Sequence, residues 1–181
     1  MSKVSLTKEV SKAKKCEVGE LTVIILDRPR HSDLIQEIRA AGARIMLIRD
    51  GDVSAAISVA DPASGVDLLV GIGGAPEGVL AAAALQCLGG EIQGILKPRN
   101  QEEIERAKKM GIPDINKVFS TDELAHGRIM FCATGVTDGT LLQGVHFTPG
   151  GATTHSIVMR SETGTIREIS AKHSFDKKPK Y

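Results

Sequence analysis

The chain has 181 residues, 41% of them hydrophobic and 3% aromatic, with no Trp and one Tyr. That excludes a disordered chain and leaves Ala, Val, Ile and Leu to build the core, as in many α/β proteins. Twenty-three Lys and Arg stand against 22 Asp and Glu, a net charge of +1, which gives no electrostatic case for nucleic-acid binding.

The segment up to Lys15 is basic, with Lys3, Lys8, Lys12, Lys14 and Lys15 against Glu9. It reads as a weak, solvated helix from Leu6 to Lys15 that stops near Gly19. No hydrophobic stretch follows of the kind a signal peptide needs. Leu21 to Leu26 (LTVIIL) is a continuous apolar, β-branched run, the mark of a strand covered on both faces. A polar turn, Asp27 to His31, leads into a helix carrying Leu34, Ile35 and Ile38 at helical spacing and stopped by Ala40-Ala41-Gly42. Arg44 to Ile48 is a second strand, Asp50-Gly51-Asp52 a turn, and a short helix follows through Ala60. Val66 to Val70 is a third strand, followed by a glycine-rich turn and an Ala-rich helix from Gly78 to Leu88.

Strand, loop and helix thus recur three times, which predicts a parallel-rich sheet with flanking helices. The right-handed crossover rule places the three loops at the carboxyl ends of their strands, the edge where open α/β sheets bind ligands. After a charged helix from Gln101 to Met110 the pattern changes. Lys117–Ser120, Arg128–Ala133, Leu142–Phe147, Thr154–Arg160 and Thr165–Ser170 read as strands of a β-rich, antiparallel C-terminal part. Asp176 to Tyr181 is a polar tail. With neither repeat nor linker, the pattern predicts one compact unit: a basic lead-in helix over 1–20, a domain over 21–175 and the tail. Cys16, Cys87 and Cys132 form no CxxC pair and read as reduced thiols of a cytoplasmic protein. No apolar run is long enough to cross a membrane.

Chemistry concentrates in the three loops. In Asp27-Arg28-Pro29-Arg30-His31, proline biases Arg28 toward an extended backbone, in which residues two apart point the same way, about 7 Å from each other. Two guanidinium forks then face one side, the geometry that grips phosphate. His31, next to the arginines, is placed to touch a phosphate as well; the plainer reading pairs the arginines with Asp27 or Asp33, and gives His31 an exposed or helix-starting role. In Asp50-Gly51-Asp52 the carboxylates suit sugar hydroxyls or a hard cation, although Asp52 is equally placed to cap the next helix. In Gly71-Ile72-Gly73-Gly74-Ala75-Pro76-Glu77-Gly78 the glycines admit an anion to the backbone and the following helix N-terminus offers it amides. Glu77 either complements that helix end or holds a divalent metal beside a bound phosphate. The loop is not a dinucleotide fingerprint, since the sixth position of G-x-G-x-x-G is Pro76, and no Lys-Ser or Lys-Thr follows to make a P-loop.

Taken together, Leu26-Asp-Arg-Pro-Arg-His31, Ile48-Arg-Asp-Gly-Asp52 and Gly71 to Gly78 resemble the class II (GlpX-type) fructose-1,6-bisphosphatases of bacteria. The similarity runs on through Ala81 to Gly90, Ala133 to Gly139 and Val158 to Ser161, and covers about Leu21 to Ile169. The resemblance implies the C-terminal part of the carbohydrate phosphatase fold. It also implies hydrolysis of the 1-phosphate of fructose 1,6-bisphosphate with Mg²⁺ or Mn²⁺ in gluconeogenesis, with sedoheptulose 1,7-bisphosphate as a second substrate of some relatives. By position, Arg28, Pro29 and Arg30 match a phosphate-gripping segment, Asp50, Gly51 and Asp52 a sugar-lining segment, Gly74 a substrate contact and Glu77 a metal-ligand glutamate. The family's remaining metal ligands and a substrate-binding Tyr lie in an N-terminal half with no counterpart here. Asp138-Gly139-Thr140 shares three letters with one of those motifs but belongs to the C-terminal one. The expectation is a sugar-phosphate-binding half of a phosphatase, with no catalytic residue of its own and little activity alone. It is completed by an N-terminal half or a homo-oligomer, or else serves as a non-catalytic binding module.

Overall fold

A computed structural model describes residues 3–177; most of the predicted polar tail lies outside the described residues. The chain divides into two compact units, one ending at Glu77 and one beginning at Gly78. Composition points to one unit because the boundary falls inside a helix, where no Pro-, Gly- or Ser-rich stretch marks it.

The first unit is a parallel sheet of three strands in the order β2-β1-β3. They are β1 (Thr22–Leu26), β2 (Arg44–Ile48) and β3 (Leu68–Leu69). Val23 of β1 pairs with Ile45 and Leu68, and Ile24 with Met46 and Leu69, so β1 is central. Its apolar run is covered on both faces, as its composition predicts. Val23 and Ile25 pack with Leu34, Ile35 and Ile38 of α2 (Ser32–Ala40), while Ile24 packs with Ala55 of α3 (Asp52–Ala60). The third strand is shorter than the predicted Val66–Val70, although Val66 and Val70 themselves are buried.

The lead-in segment departs from the expectation of a solvated helix. Helix α1 spans Lys3–Lys14, and Leu6 and Val10 pack against the same core as α2, with Thr7 and Ser11 buried beside them. These four positions fall at i, i+1, i+4 and i+5, one face of a helix that carries Lys8 and Lys12 on the other. Asp67 fastens α1 to the sheet. Its carboxylate accepts from the Lys14 ammonium and from the Thr22 amide (2.7 Å).

In the second unit lie the bulk of α4 (Ala75–Leu88), a small antiparallel pair of β4 (Gly94–Ile95) and β5 (Val118–Phe119), and helices α5 (Gln101–Lys109) and α6 (Thr121–Leu124). The β4 strand has no signal in the sequence. The antiparallel C-terminal sheet centres on β8 (Gly151–Arg160), flanked by β6 (Met130–Thr134) and β7 (His146–Thr148) on one side and β9 (Thr165–Ser174) on the other. The predicted strand at Leu142–Phe147 therefore shifts to His146–Thr148. The segment before it folds into a tight loop instead, closed by Val145 N–H to Val136 O (3.1 Å) and by the Asp138 carboxylate, which accepts from Gly144 N–H (2.8 Å). That amide first, and His146 Nε2 at 3.0 Å second, hold the Asp138 carboxyl below its usual range. Asp138 thus closes a loop. No helix among the described residues is long and apolar enough to cross a membrane.

Candidate functional site

The strand order creates the site. From β1 the chain crosses to β2 on one side, then returns through α3 to β3 on the other side of β1. Helices α2 and α3 accordingly cover opposite faces. The loops leaving β1 and β3 stand side by side at the carboxyl edge, the edge at which open α/β sheets bind ligands. Loop 27–31 and loop 70–74 are those two loops, and all the sequence-predicted site residues lie in this first unit.

Arg28 has the extended backbone that a residue before proline favours (φ −137°, ψ 145°). The extension stops there, because Pro29 opens a 3₁₀ turn, Pro29–His31, closed by His31 N–H to Arg28 O (2.8 Å). The expected two-residue alternation of Arg28 and Arg30 along an extended segment therefore does not form. Proline's fixed φ suits the turn as well as it suits a strand. Neither arginine pairs with Asp27 or Asp33; among the described residues, no ion pair engages Arg28 or Arg30. Arg30 instead donates through Nε to Ile72 O (2.8 Å), which links the first loop to the third and leaves the two terminal guanidinium nitrogens outside that bond.

His31 is not exposed, as its sequence neighbours suggest, but fully buried (0%), although it does stand at the start of α2. Its Nδ1 lies 2.8 Å from Leu26 O, and Ile72 N–H donates to its Nε2 (2.9 Å). Sequence reasoning misses it because its partner Ile72 is 41 residues away, and nothing near His31 announces that contact.

The second loop also differs from expectation. Gly51, not Asp52, stands at the N-cap of α3, in a left-handed conformation (φ 89°, ψ 49°) that glycine adopts without strain. Asp52 is the first helical residue, and no backbone cap bond holds its carboxylate. That carboxylate reaches the third loop, since a Cβ placed on Gly73 would stand 2.9 Å from Asp52 Oδ2. Glu77 folds back in the same way onto Gly74, whose added Cβ would collide with its Oε2. Successive glycines thus make room for two carboxylates, one from the second loop and one from the first turn of α4. Arg28 belongs to the loop leaving β1 and Asp50 and Gly51 to the loop leaving β2, and no side-chain bond joins them to this turn among the described residues.

Oxygen donors such as Glu77 and Asp52 suit hard cations. Yet among the described residues no three His, Cys, Asp or Glu side chains gather in a metal-holding geometry. Glu77 fits a divalent ion as one ligand of several; the set present does not fit as a complete site.

A family model described as bacterial fructose-1,6-bisphosphatase, glpX-encoded, matches residues 2–173, and the chain belongs to that family. Relatives named D-fructose 1,6-bisphosphatase class 2/sedoheptulose 1,7-bisphosphatase include those of Microcystis aeruginosa (46% identical over 177 residues) and Crocosphaera subtropica (47% over 177 residues). In both alignments 91% of this chain is covered against 51% of the relative. The relative from Trichodesmium erythraeum is 45% identical over 181 residues, covering 93% of this chain and 52% of its own length. The chain thus spans about half the length of the relatives it matches.

Proposed function

We propose that the chain is the sugar-phosphate-binding portion of a metal-dependent phosphatase that converts fructose 1,6-bisphosphate to fructose 6-phosphate and phosphate, with sedoheptulose 1,7-bisphosphate as a second substrate. The observation that carries this reading is the glycine turn after β3, which Arg30 binds at Ile72 O and against which the Asp52 and Glu77 carboxylates lie, in a chain of this family. Arg28 and Arg30 grip a phosphate of the substrate, because a guanidinium fork matches phosphate oxygens and stays charged at any working pH. Asp50 and Asp52 accept hydrogen bonds from sugar hydroxyls. Pro29 and Gly51 hold the two loops in the turns described above. The backbone at Gly74 and the first amides of α4 face the ligand, where a helix N-terminus favours an anion.

Glu77 offers one carboxylate to a Mg²⁺ or Mn²⁺ ion, whose role is to neutralise charge on the reacting phosphate. The remaining ligands come from an N-terminal half equivalent to the rest of the relatives' length, and the whole acts in the cytoplasm. A purified 181-residue chain accordingly binds fructose 6-phosphate in calorimetry without added metal, and releases little phosphate from fructose 1,6-bisphosphate. Mixing it with a separately expressed N-terminal half of a relative restores metal-dependent release. Turnover by the chain alone, abolished in Glu77→Gln, refutes the division of the metal site. Absence of fructose 6-phosphate binding refutes the substrate assignment.

A further inference from the structure

The assignment above leaves His31 without a role, yet it is the one ionisable side chain buried completely among the described residues, and it joins the end of β1 to the loop after β3. The hydrogen-bond geometry fixes its tautomer. Ile72 N–H points at Nε2 (2.9 Å), so Nε2 carries a lone pair, and Nδ1 carries the proton that goes to Leu26 O (2.8 Å). The other tautomer sets a bare Nδ1 against a carbonyl oxygen and a second N–H against the Ile72 amide. Ile72 O also lies 3.2 Å from Nε2, but its donor is Arg30 Nε at 2.8 Å. The backbone of Ile72 in the glycine-rich loop is therefore held on both sides of its Cα by neighbours in the first loop, its N–H by His31 and its oxygen by Arg30. Gly71 packs against the ring, an added Cβ there standing 3.7 Å from His31 Cε1.

Resting on the sugar-phosphate reading above, we infer that His31 is a positioning residue for that site. The neutral ring, anchored on the last carbonyl of β1, sets the height of the glycine turn. In doing so it aims Arg30 and brings Gly73 and Gly74 to the depth at which they accommodate Asp52 and Glu77. It touches no ligand and exchanges no proton. Its contribution is preorganisation, because a loop already fixed in its bound shape loses less freedom when the anion arrives.

Two substitutions separate this from a merely structural role. Glutamine reaches as far as Nε2 and keeps an acceptor for Ile72 N–H; asparagine matches only Nδ1 and leaves that amide without a partner. In the full chain, His31→Asn is expected to speed hydrogen exchange at the Ile72 amide and to weaken fructose 6-phosphate binding roughly tenfold, the effect of losing about one hydrogen bond. His31→Gln is expected to restore slow exchange and most of the affinity. Nitrogen NMR of the wild-type ring should report a protonated Nδ1 and a bare Nε2; a protonated Nε2 overturns the clasp even if His31→Asn fails to fold. Fast Ile72 exchange in folded His31→Asn with affinity within about twofold of wild type overturns the positioning role and leaves the binding assignment standing. A wild-type chain that shows the expected tautomer and slow exchange but no affinity for fructose 6-phosphate overturns the binding assignment, and the positioning role with it.

Discussion

Replacing Arg30 with alanine probes the proposed phosphate grip most directly, and the structure sets its expected size. Arg30 Nε is committed to Ile72 O, so two terminal nitrogens remain for the ligand. A hydrogen bond to a charged group contributes about 1.5–3 kcal/mol, which gives about 3–6 kcal/mol for a bidentate pair. Arg30 is exposed, however, and solvent screening and side-chain entropy reduce such pairs severely. We expect about 1–3 kcal/mol, a loss of roughly 5- to 150-fold in affinity for fructose 6-phosphate. Arg30→Lys should fall between, since it keeps the charge while losing both the fork and the Nε donor to Ile72 O. The assay is isothermal titration calorimetry at two ionic strengths, with the wild-type affinity falling at the higher one. Arg128→Ala is the control, because Arg128 lies in the second unit paired with Glu162 (3.1 Å). An Arg30→Ala chain that is folded and binds within about twofold of wild type refutes the assignment of Arg30 to the phosphate.

Gly73→Ala places a methyl 2.9 Å from Asp52 Oδ2; it should push that carboxylate aside and weaken fructose 6-phosphate binding by a few-fold, roughly 0.5–1.5 kcal/mol, while circular dichroism stays unchanged. Gly144→Ala sets a Cβ 2.6 Å from the backbone carbon of Thr137, a clash that no side-chain rotation relieves, and should cost about 1–3 kcal/mol in chemical denaturation of the second unit. Asp67→Asn should lower the stability of the first unit by about 1–3 kcal/mol. Burial opposes the Asp67 charge, yet the Lys14 ammonium and the Thr22 amide together hold its carboxyl below its usual range. That stability is present above the ordinary aspartate value and is lost as pH falls through the depressed one. Glu123 caps α6 through Ser120 and accepts from Lys117, and the Lys117 hydrogen bond foremost lowers its carboxyl to about 2. Its contribution is therefore complete above about pH 4.5 and lost between there and about pH 2, so Glu123→Gln should lower the melting temperature at neutral pH, leave it nearly unchanged near pH 2, and thereby flatten its dependence on pH across that window.

What the sequence discloses about this chain is what local patterns encode. The apolar run Leu21 to Leu26 announces a strand buried on both faces, and alternation with helical segments announces parallel pairing; both hold in the structure. Crossover handedness then brings three loops to one edge before any contact is known. The errors also have local causes. Helix α1 looks solvated because five lysines outweigh Leu6 and Val10, whose burial depends on the sheet they meet. Asp52 looks like a cap because Asp-Gly-Asp contains two capping residues, and only the left-handed backbone at Gly51 shows that neither fills the role. Proline before Arg30 reads as extension, whereas its dihedral equally permits the 3₁₀ turn that forms.

The deeper omission lies in how the site is held together. Arg28, Arg30, Asp50, Asp52, Gly74 and Glu77 carry chemistry that residue type alone suggests, so they are legible one by one. What joins the first loop to the third is the backbone of Ile72, whose hydrogen-bonding groups are uniform along any chain and carry no signal in a sequence. Arg30 and His31 meet that residue only because β3 pairs beside β1, a fact of strand order and not of spacing. The buried imidazole is the consequence: a neutral ring can both donate and accept, and it satisfies a strand-end carbonyl and a loop amide that would otherwise be buried without water. A side chain with one polar function could serve only one of them. Histidine at this position thus answers the pairing of β3 beside β1, which brings the Ile72 amide within reach of a side chain anchored on the end of β1.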